Sequence, residues 1–213
     1  MYQKWIKRFL DIMLSLAGLA ILCPLFILIS VWIKCDSPGP VFFRQKRVGS
    51  GKKYFNILKF RTMRTDTPAE IPTHLLQNLD AYITRSGRFL RRTSLDEIPQ
   101  LINILRGEMS IVGPRPALWN QLDLLEARDL HGANDVLPGL TGWAQVNGRD
   151  ELTIDEKAKY DGEYVRHLSF GMDLKCVIRT FAVVSSGEGM AEGQAAANMQ
   201  ENHRENDGEE KVS

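Results

Sequence analysis

An uncharged run from Ile12 to Ile33 dominates the hydropathy pattern of this chain. A helix rises about 1.5 Å per residue, so this run extends roughly 33 Å, enough to cross a bilayer core. The pattern then turns short and mixed. Ser37-Pro38-Gly39-Pro40 is a breaker. Val41 to Val48 and Tyr54 to Phe60 alternate as strands around the turn Gly49-Ser50-Gly51-Lys52-Lys53, which predicts a small basic hairpin. Thr65 to Leu79, with Pro68 and Pro72, predicts a loop, and so does Pro138 to Gly142. Helices are predicted over 82–92, 95–106, 117–129, 154–168 and 173–185. The last has Leu174, Val177, Ile178 and Phe181 on one side, which suits a core helix or an interfacial one. The predicted fold class is α+β, mostly α. It combines an N-terminal membrane helix, a β-hairpin and a helical domain with amphipathic helices. The expected boundaries are 1–35, 36–186 and a tail at 187–213.

Two other origins of the apolar run fit less well. It is long for a signal-peptide core and no small-x-small site follows it. A buried soluble helix is rarely apolar all round for such a length. Trp5 and Trp32 stand at its ends, where interfacial aromatics belong. Lys4, Lys7 and Arg8 precede it, and Lys34, Arg44, Lys46 and Arg47 follow. Positive charge on both sides favours two cytoplasmic ends. Pro24 removes a backbone donor and predicts a kink. Asp11 is spaced to pair with Lys7 and Arg8 on one helix face. A re-entrant helix and a kinked single span both remain open on these grounds.

Charge changes the picture further. The chain has 213 residues and a net charge of +1, but the balance is uneven. From Lys34 to Arg64 only Asp36 offsets nine lysines and arginines. A basic front beside an apolar segment suits anionic lipid or phosphate. Nucleic acid competes as a partner, but no nucleic-acid-binding motif is present. From Glu188 onward the sequence is acidic and rich in Gly, Ala, Asn and Gln, which predicts disorder. Cys23, Cys35 and Cys176 have no zinc spacing, and the four histidines are scattered.

The candidate chemistry centres on Asp96-Glu97. Ser94-Leu95-Asp96-Glu97 fits a capping box, and Asp96 could itself cap the helix that follows. The same position serves catalysis: an ionised aspartate can attack a phosphoryl group, and the adjacent glutamate can hold Mg²⁺. Arg115 lies between Pro114 and Pro116, which stiffen the loop and suit bidentate phosphate binding, or merely a rigid turn. Strand alternation puts Lys59 and Arg61 on one face, as phosphate ligands or as a solvated stripe. Arg88 and Arg91 share a helical face just before the acidic pair, with the same two readings.

Taken together, these motifs carry a resemblance. Lys7-Arg8-Phe9-Leu10-Asp11, Pro24, Gly39-Pro40-Val41-Phe42-Phe43, Gln45, Arg47, Gly49 and Lys59-Phe60-Arg61-Thr62-Met63 belong to it. So do Leu95 to Leu101, Gly113-Pro114-Arg115-Pro116 and Gly139 to Arg149. From about residue 3 to about 186 the chain resembles the bacterial sugar transferases of the small monotopic phosphoglycosyl transferase kind. Cys23 is a departure, since serine often precedes that proline. The resemblance implies a transferase of phosphorus-containing groups. A UDP-sugar would donate its phosphosugar to undecaprenyl phosphate and release UMP, as the first membrane step of a bacterial glycoconjugate pathway. It implies Asp96 as nucleophile, Glu97 as its partner at a Mg²⁺ site, and phosphate handling by Lys59, Arg91 and Arg115. It also implies a re-entrant anchor built on Lys7, Arg8, Asp11 and Pro24, at the cytoplasmic face of the inner membrane. A homodimer is left open, as is the sugar. A membrane adaptor without activity would not need an intact acidic pair or Arg115. A lipid-phosphate hydrolase using the same aspartate would differ only in its product.

Overall fold

The computed structural model describes residues 2–67, 79–148 and 151–186. Most of the expected 65–79 loop, Arg149 and the acidic tail lie outside the described residues. A π-helical turn, Tyr2–Ile6, leads into α1, Lys7–Asp36, which continues through Pro24 as one helix. Its buried stripe is Lys7, Asp11, Ser15, Ile29 and Ile33. The exposed face is apolar and includes Phe9, Met13, Leu16, Ile21, Leu28 and Val31. Ser30 donates to the carbonyl of Phe26 at 2.7 Å. The hydroxyl of Ser15 is buried without a partner.

Strands β1 (Phe42–Val48) and β2 (Tyr54–Phe60) form the expected antiparallel hairpin, with Phe43 opposite Lys59 and Arg47 opposite Phe55. That register puts Gln45, Arg47 and Lys59 on one face. The short helix α2, Leu79–Tyr82, precedes α3, Arg85–Arg92. The single helix expected over 82–92 is interrupted because Thr84 caps α3, accepting from the Gly87 amide. A 3₁₀ turn, Leu95–Glu97, and Pro99 then introduce α4, Gln100–Arg106. The expected 95–106 helix is therefore split at Ile98-Pro99, and Ser94 just ahead of it takes a left-handed conformation, φ 55°.

Strand β3, Ser110–Val112, pairs in parallel with β4, Gly139–Thr141. This pair was not expected, since 138–142 reads as a loop. Neither Gly113 nor Gly139 has room for a Cβ, because their backbones pass against each other and Leu137. Helix α5, Leu122–Asp129, starts later than its apolar spacing suggests. The Val48 amide holds the Ala117 carbonyl at 2.9 Å, so the chain before α5 runs along the hairpin edge instead. Helices α6, Ile154–Arg166, and α7, Phe170–Ser186, complete the described chain. A Thr153–Glu156 capping box starts α6.

Three apolar clusters hold these parts. Ile29 and Ile33 of α1 pack on Phe60 and Leu90. Ile57 packs with Ile104 and Met109 between β2 and α4. Val112, Trp143, Tyr164, Met172 and Cys176 join β3 to the last two helices. Fully buried Asn103 fixes α4 against β2: it accepts from the Leu58 amide at 2.9 Å and donates to the Asn56 carbonyl at 2.8 Å.

Candidate active site

The 3₁₀ turn presents Asp96 and Glu97 toward the Lys59 side of the hairpin. The Asn103 contacts set this placement, since they lock the helix after the turn onto the strand that carries Lys59. The capping alternative is not realised. Ser94 makes no side-chain cap bond, and the residue capping α4 is Pro99. Glu97 instead accepts from the Lys59 ammonium at 2.7 Å. Lys59 also lies 3.7 Å from the buried Asp96 carboxylate, and the Arg115 guanidinium lies 3.7 Å from Glu97. Asp96, Glu97, Lys59 and Arg115 are thus brought together from three separate stretches of sequence: the turn, the strand and the loop.

Arg91 lies on α3, which leads directly into the turn. Its guanidinium donates to Thr62 Oγ1 at 3.0 Å and to Met63 Sδ at 3.1 Å. Arg61, expected as a phosphate ligand, directs its guanidinium to the exit of α1 instead of the carboxylates. Strand β2 ends at Phe60, so alternation no longer governs the next side chain. The buried Arg61 guanidinium donates to the carbonyls of Ser37, at 2.8 Å, and Pro38, at the exit of α1. Burial lowers its pKa, with Asp36 opposing.

The cleft beside the carboxylates is also lined by Arg47, Gln100 and Pro116. Arg47 belongs to the resemblance motifs but was not singled out as a site residue. Nothing in its local spacing marks it, because its neighbours in the cleft come from distant segments. A larger hollow of about 590 Å³ lies between α5 and the start of α6, lined by Asp123, Glu126 and Asp155 among others. Its acidity repels phosphate, whereas the smaller cleft carries Arg47, Lys59 and Arg115.

Among the described residues no cluster of three or more His, Cys, Asp or Glu forms a metal cage. The donor set here is two adjacent carboxylates. Magnesium is commonly held by one or two carboxylates together with substrate phosphates, so the pair fits Mg²⁺ brought with a phosphate ligand.

The N-terminal motif makes a separate set of contacts. The Lys7 ammonium donates to Asp173 at 2.7 Å, and Asp173 also accepts from Tyr164 at 2.8 Å and Tyr2 at 2.6 Å. Arg8 donates to the carbonyls of Ile104 and Leu105, at 2.6 and 3.1 Å. Asp11 accepts from the Ile111 amide at 2.9 Å and Ser110 Oγ at 3.1 Å. Tyr164 titrates far above its ordinary range, through burial first and the Asp173 charge second.

The sequence model of a family described as "Bacterial sugar transferase" matches residues 2–187. An undecaprenyl-phosphate glucose phosphotransferase of Komagataeibacter xylinus is 45% identical over 185 residues, covering 82% of this chain and 35% of that protein. The exopolysaccharide production protein ExoY of Rhizobium meliloti is 35% identical over 197 residues, covering 86% and 87%. A UDP-N-acetylgalactosamine-undecaprenyl-phosphate N-acetylgalactosaminephosphotransferase of Aeromonas hydrophila is 35% identical, covering 87% and 45%. The chain thus spans less than half the length of the two relatives named as phosphotransferases.

Proposed function

The chain belongs to the bacterial sugar transferase family, and from that premise we propose that it transfers a phosphosugar from a UDP-sugar to undecaprenyl phosphate. An Asp96 carboxylate oxygen attacks the phosphorus that bears the sugar. The bond from that phosphorus to the bridging oxygen breaks, and UMP leaves with the electron pair. The phosphosugar is then held on Asp96 as an acyl phosphate. A phosphate oxygen of the lipid attacks the same phosphorus, restores the Asp96 carboxylate and forms undecaprenyl-diphosphate-sugar. Lys59 and Arg115 hold phosphate oxygens, and Lys59 orients Glu97 through their 2.7 Å bond. Mg²⁺ held by Asp96, Glu97 and the donor's phosphates would screen phosphate charge as the anionic nucleophile approaches.

The observation that carries this reading is the convergence of Lys59 and Arg115 on the Asp96-Glu97 turn. Charges of both signs in one small cleft suit a phosphate ester arriving beside a carboxylate nucleophile. The test is UMP release by the purified protein with Mg²⁺, a panel of UDP-sugars and undecaprenyl phosphate. Wild type releases UMP in a lipid-dependent way, and with donor alone its mass rises by one phosphosugar. Asp96→Asn does neither. Turnover by Asp96→Asn, with deamidation excluded, removes the aspartate from this role. Relatives are named for glucose and for N-acetylgalactosamine, so the panel carries both.

We further propose a re-entrant anchor, with both termini at the cytoplasmic face of the inner membrane. Near its start α1 docks through Lys7, Arg8 and Asp11. At its end Asp36 accepts from the amide and hydroxyl of Ser86, at 2.8 and 2.7 Å. A spanning helix would put these ends on opposite sides of a bilayer core of about 30 Å. Docking of both ends on one folded body supports entry and exit on one side. Helix α7 exposes Phe170, Leu174, Ile178 and Phe181, flanked by Lys175 and Arg179 over the Trp143 ring. That pattern supports placement in the headgroup layer. A cysteine at position 3 labelled only from the periplasm would overturn the re-entrant topology.

A further inference from the structure

Arg47 sits in the cleft in a way that simple scaffolding does not explain. Its side chain leaves β1 on the face shared with Gln45 and Lys59. One terminal nitrogen donates to the Pro116 carbonyl at 3.0 Å, and the other to Gln45 Oε1 at 2.6 Å. Its Nε is buried and has no partner. Both acceptors are neutral, and no carboxylate among the described residues forms a salt bridge with it. Burial, then the neighbouring Arg115 charge, lowers its pKa to about 10, with Glu97 opposing.

A neutral donor would hold the Pro116 carbonyl at lower cost. Keeping a guanidinium from water beside a second cation is unfavourable unless an anion returns the cost. The cleft supplies a reason. Among the described residues that line the cleft, Arg47, Lys59 and Arg115 are positive and Glu97 is negative, with Asp96 3.7 Å from Lys59. The surplus is balanced when a phosphate ester enters. Arg47 also sets the position of Arg115, since it grips the next residue of the loop from the strand. The backbone repeats the tie, because Val48 holds the Ala117 carbonyl at 2.9 Å.

We propose that Arg47 is a positioning residue for the donor's diphosphate: it fixes Arg115 through Pro116 and supplies partly buried positive charge that the bound anion balances. This rests on the transferase reading above. The shared chemistry is a phosphate ester, which the nucleotide donor and the lipid acceptor both carry, and the assignment here is to the donor.

The test uses the full chain in detergent or nanodiscs, as wild type, Arg47→Gln and Arg47→Lys. The probes are UDP with Mg²⁺ for the donor and a short-chain polyprenyl phosphate for the acceptor. Arg47→Gln is expected to melt at or above the wild-type temperature without ligand, because a partly desolvated charge beside a second cation is gone. Its Kd for UDP should rise about tenfold or more, as expected for loss of one charge-assisted contact set. Donor KM should rise in step while kcat changes by less than about threefold. Arg47→Lys keeps the charge and loses the fork, so its UDP affinity should fall between the other two. If Arg47→Gln does not fold, Arg47→Lys alone decides, with UDP affinity equal to wild type counting against the proposal. A lowered melting temperature with unchanged UDP affinity makes Arg47 a strut and overturns the proposal. A loss confined to the polyprenyl phosphate overturns the donor assignment. UMP release by wild type, with Arg47→Gln binding UDP normally, refutes this inference and leaves the transferase reading intact. UDP binding that depends on Arg47 in a protein that releases no UMP does the reverse.

Discussion

Arg61 separates two accounts of the basic segment, because strand alternation makes it a candidate phosphate ligand and its contacts make it the clasp of α1. Consider Arg61→Met, which keeps the apolar stem and removes the guanidinium. Two close charge-assisted bonds are lost, to the Ser37 and Pro38 carbonyls. The contact to the Ile33 carbonyl, at 3.5 Å, is too long to count. Charge-assisted bonds contribute about 1.5–3 kcal/mol each. Pro38 is exposed and its carbonyl can be rehydrated, so the lower end applies and the expected loss is about 3 kcal/mol. For a chain of this size that lowers Tm by roughly 6–12 °C. The effect should be local at first, loosening Ile29 and Ile33 from Phe60 and Leu90. The assay is thermal unfolding in nanodiscs beside donor KM at a temperature where both proteins are folded. A Tm within about 2 °C of wild type, with donor KM raised about tenfold, would refute the clasp and return Arg61 to the phosphates. Gly39→Ala probes the same place from outside, since its φ is +124° and a new Cβ would collide with the Arg61 guanidinium.

Other expectations are more direct. Lys59→Ala should lower kcat/KM by about 10²–10³-fold, because an electrostatic group is lost from a water-poor site, and should change Tm little. Asp161→Asn strands the buried Arg128 guanidinium, whose Nε lies 2.8 Å from Asp161. Breaking such a pair costs about 3–5 kcal/mol in denaturant titration, with activity per folded molecule unchanged. Asp36 provides a pH signature. Desolvation pushes its carboxyl up, but the Ser86 amide and hydroxyl outweigh it and hold the pKa below the ordinary carboxylate value. A depressed folded pKa gives stability that is present above about pH 4 and lost as pH falls through the folded value. Asp36→Asn should therefore be less stable than wild type at pH 7 by about 1 kcal/mol, and the gap should close as the pH drops below about 4.

Much of this arrangement was legible where one local rule governs a stretch. Alternation and a glycine turn located both strands of the hairpin. Uninterrupted apolarity located α1, and apolar spacing located α7. The remainder depends on partners that local rules do not see. Ser94 could adopt either a capping or a left-handed conformation, and the tertiary demand to aim Asp96 at Lys59 selected the second. The early start expected for α5 failed because the hairpin edge takes the Ala117 carbonyl. Strands β3 and β4 are three residues each and pair across the intervening α5, too short for any period to show. At the site, composition marked the carboxylates and Arg115. It did not separate Lys59 from Arg61, since their difference is the single residue at which β2 stops.

The short β3 strand has a consequence for how membrane and chemistry are linked. Asp11, on the anchor helix, holds the Ile111 amide and the Ser110 hydroxyl at one end of that strand. Gly113-Pro114-Arg115-Pro116 leaves directly from the other end. The Gly113 amide is bound to the Thr141 carbonyl at 2.9 Å, so the strand cannot slide without breaking its pairing with β4. Arg8 makes a second tie, to carbonyls in the last turn of α4, the helix that follows the Asp96-Glu97 turn. The anchor therefore reaches both halves of the site by short, hydrogen-bonded paths, one to Arg115 and one to the carboxylates. In the proposed topology the lipid phosphate is confined to the interface, and these ties fix the height of nucleophile and cation above it together. Loss of Asp11 alone should then disturb the reaction with the lipid acceptor more than formation of the phosphosugar adduct from the soluble donor.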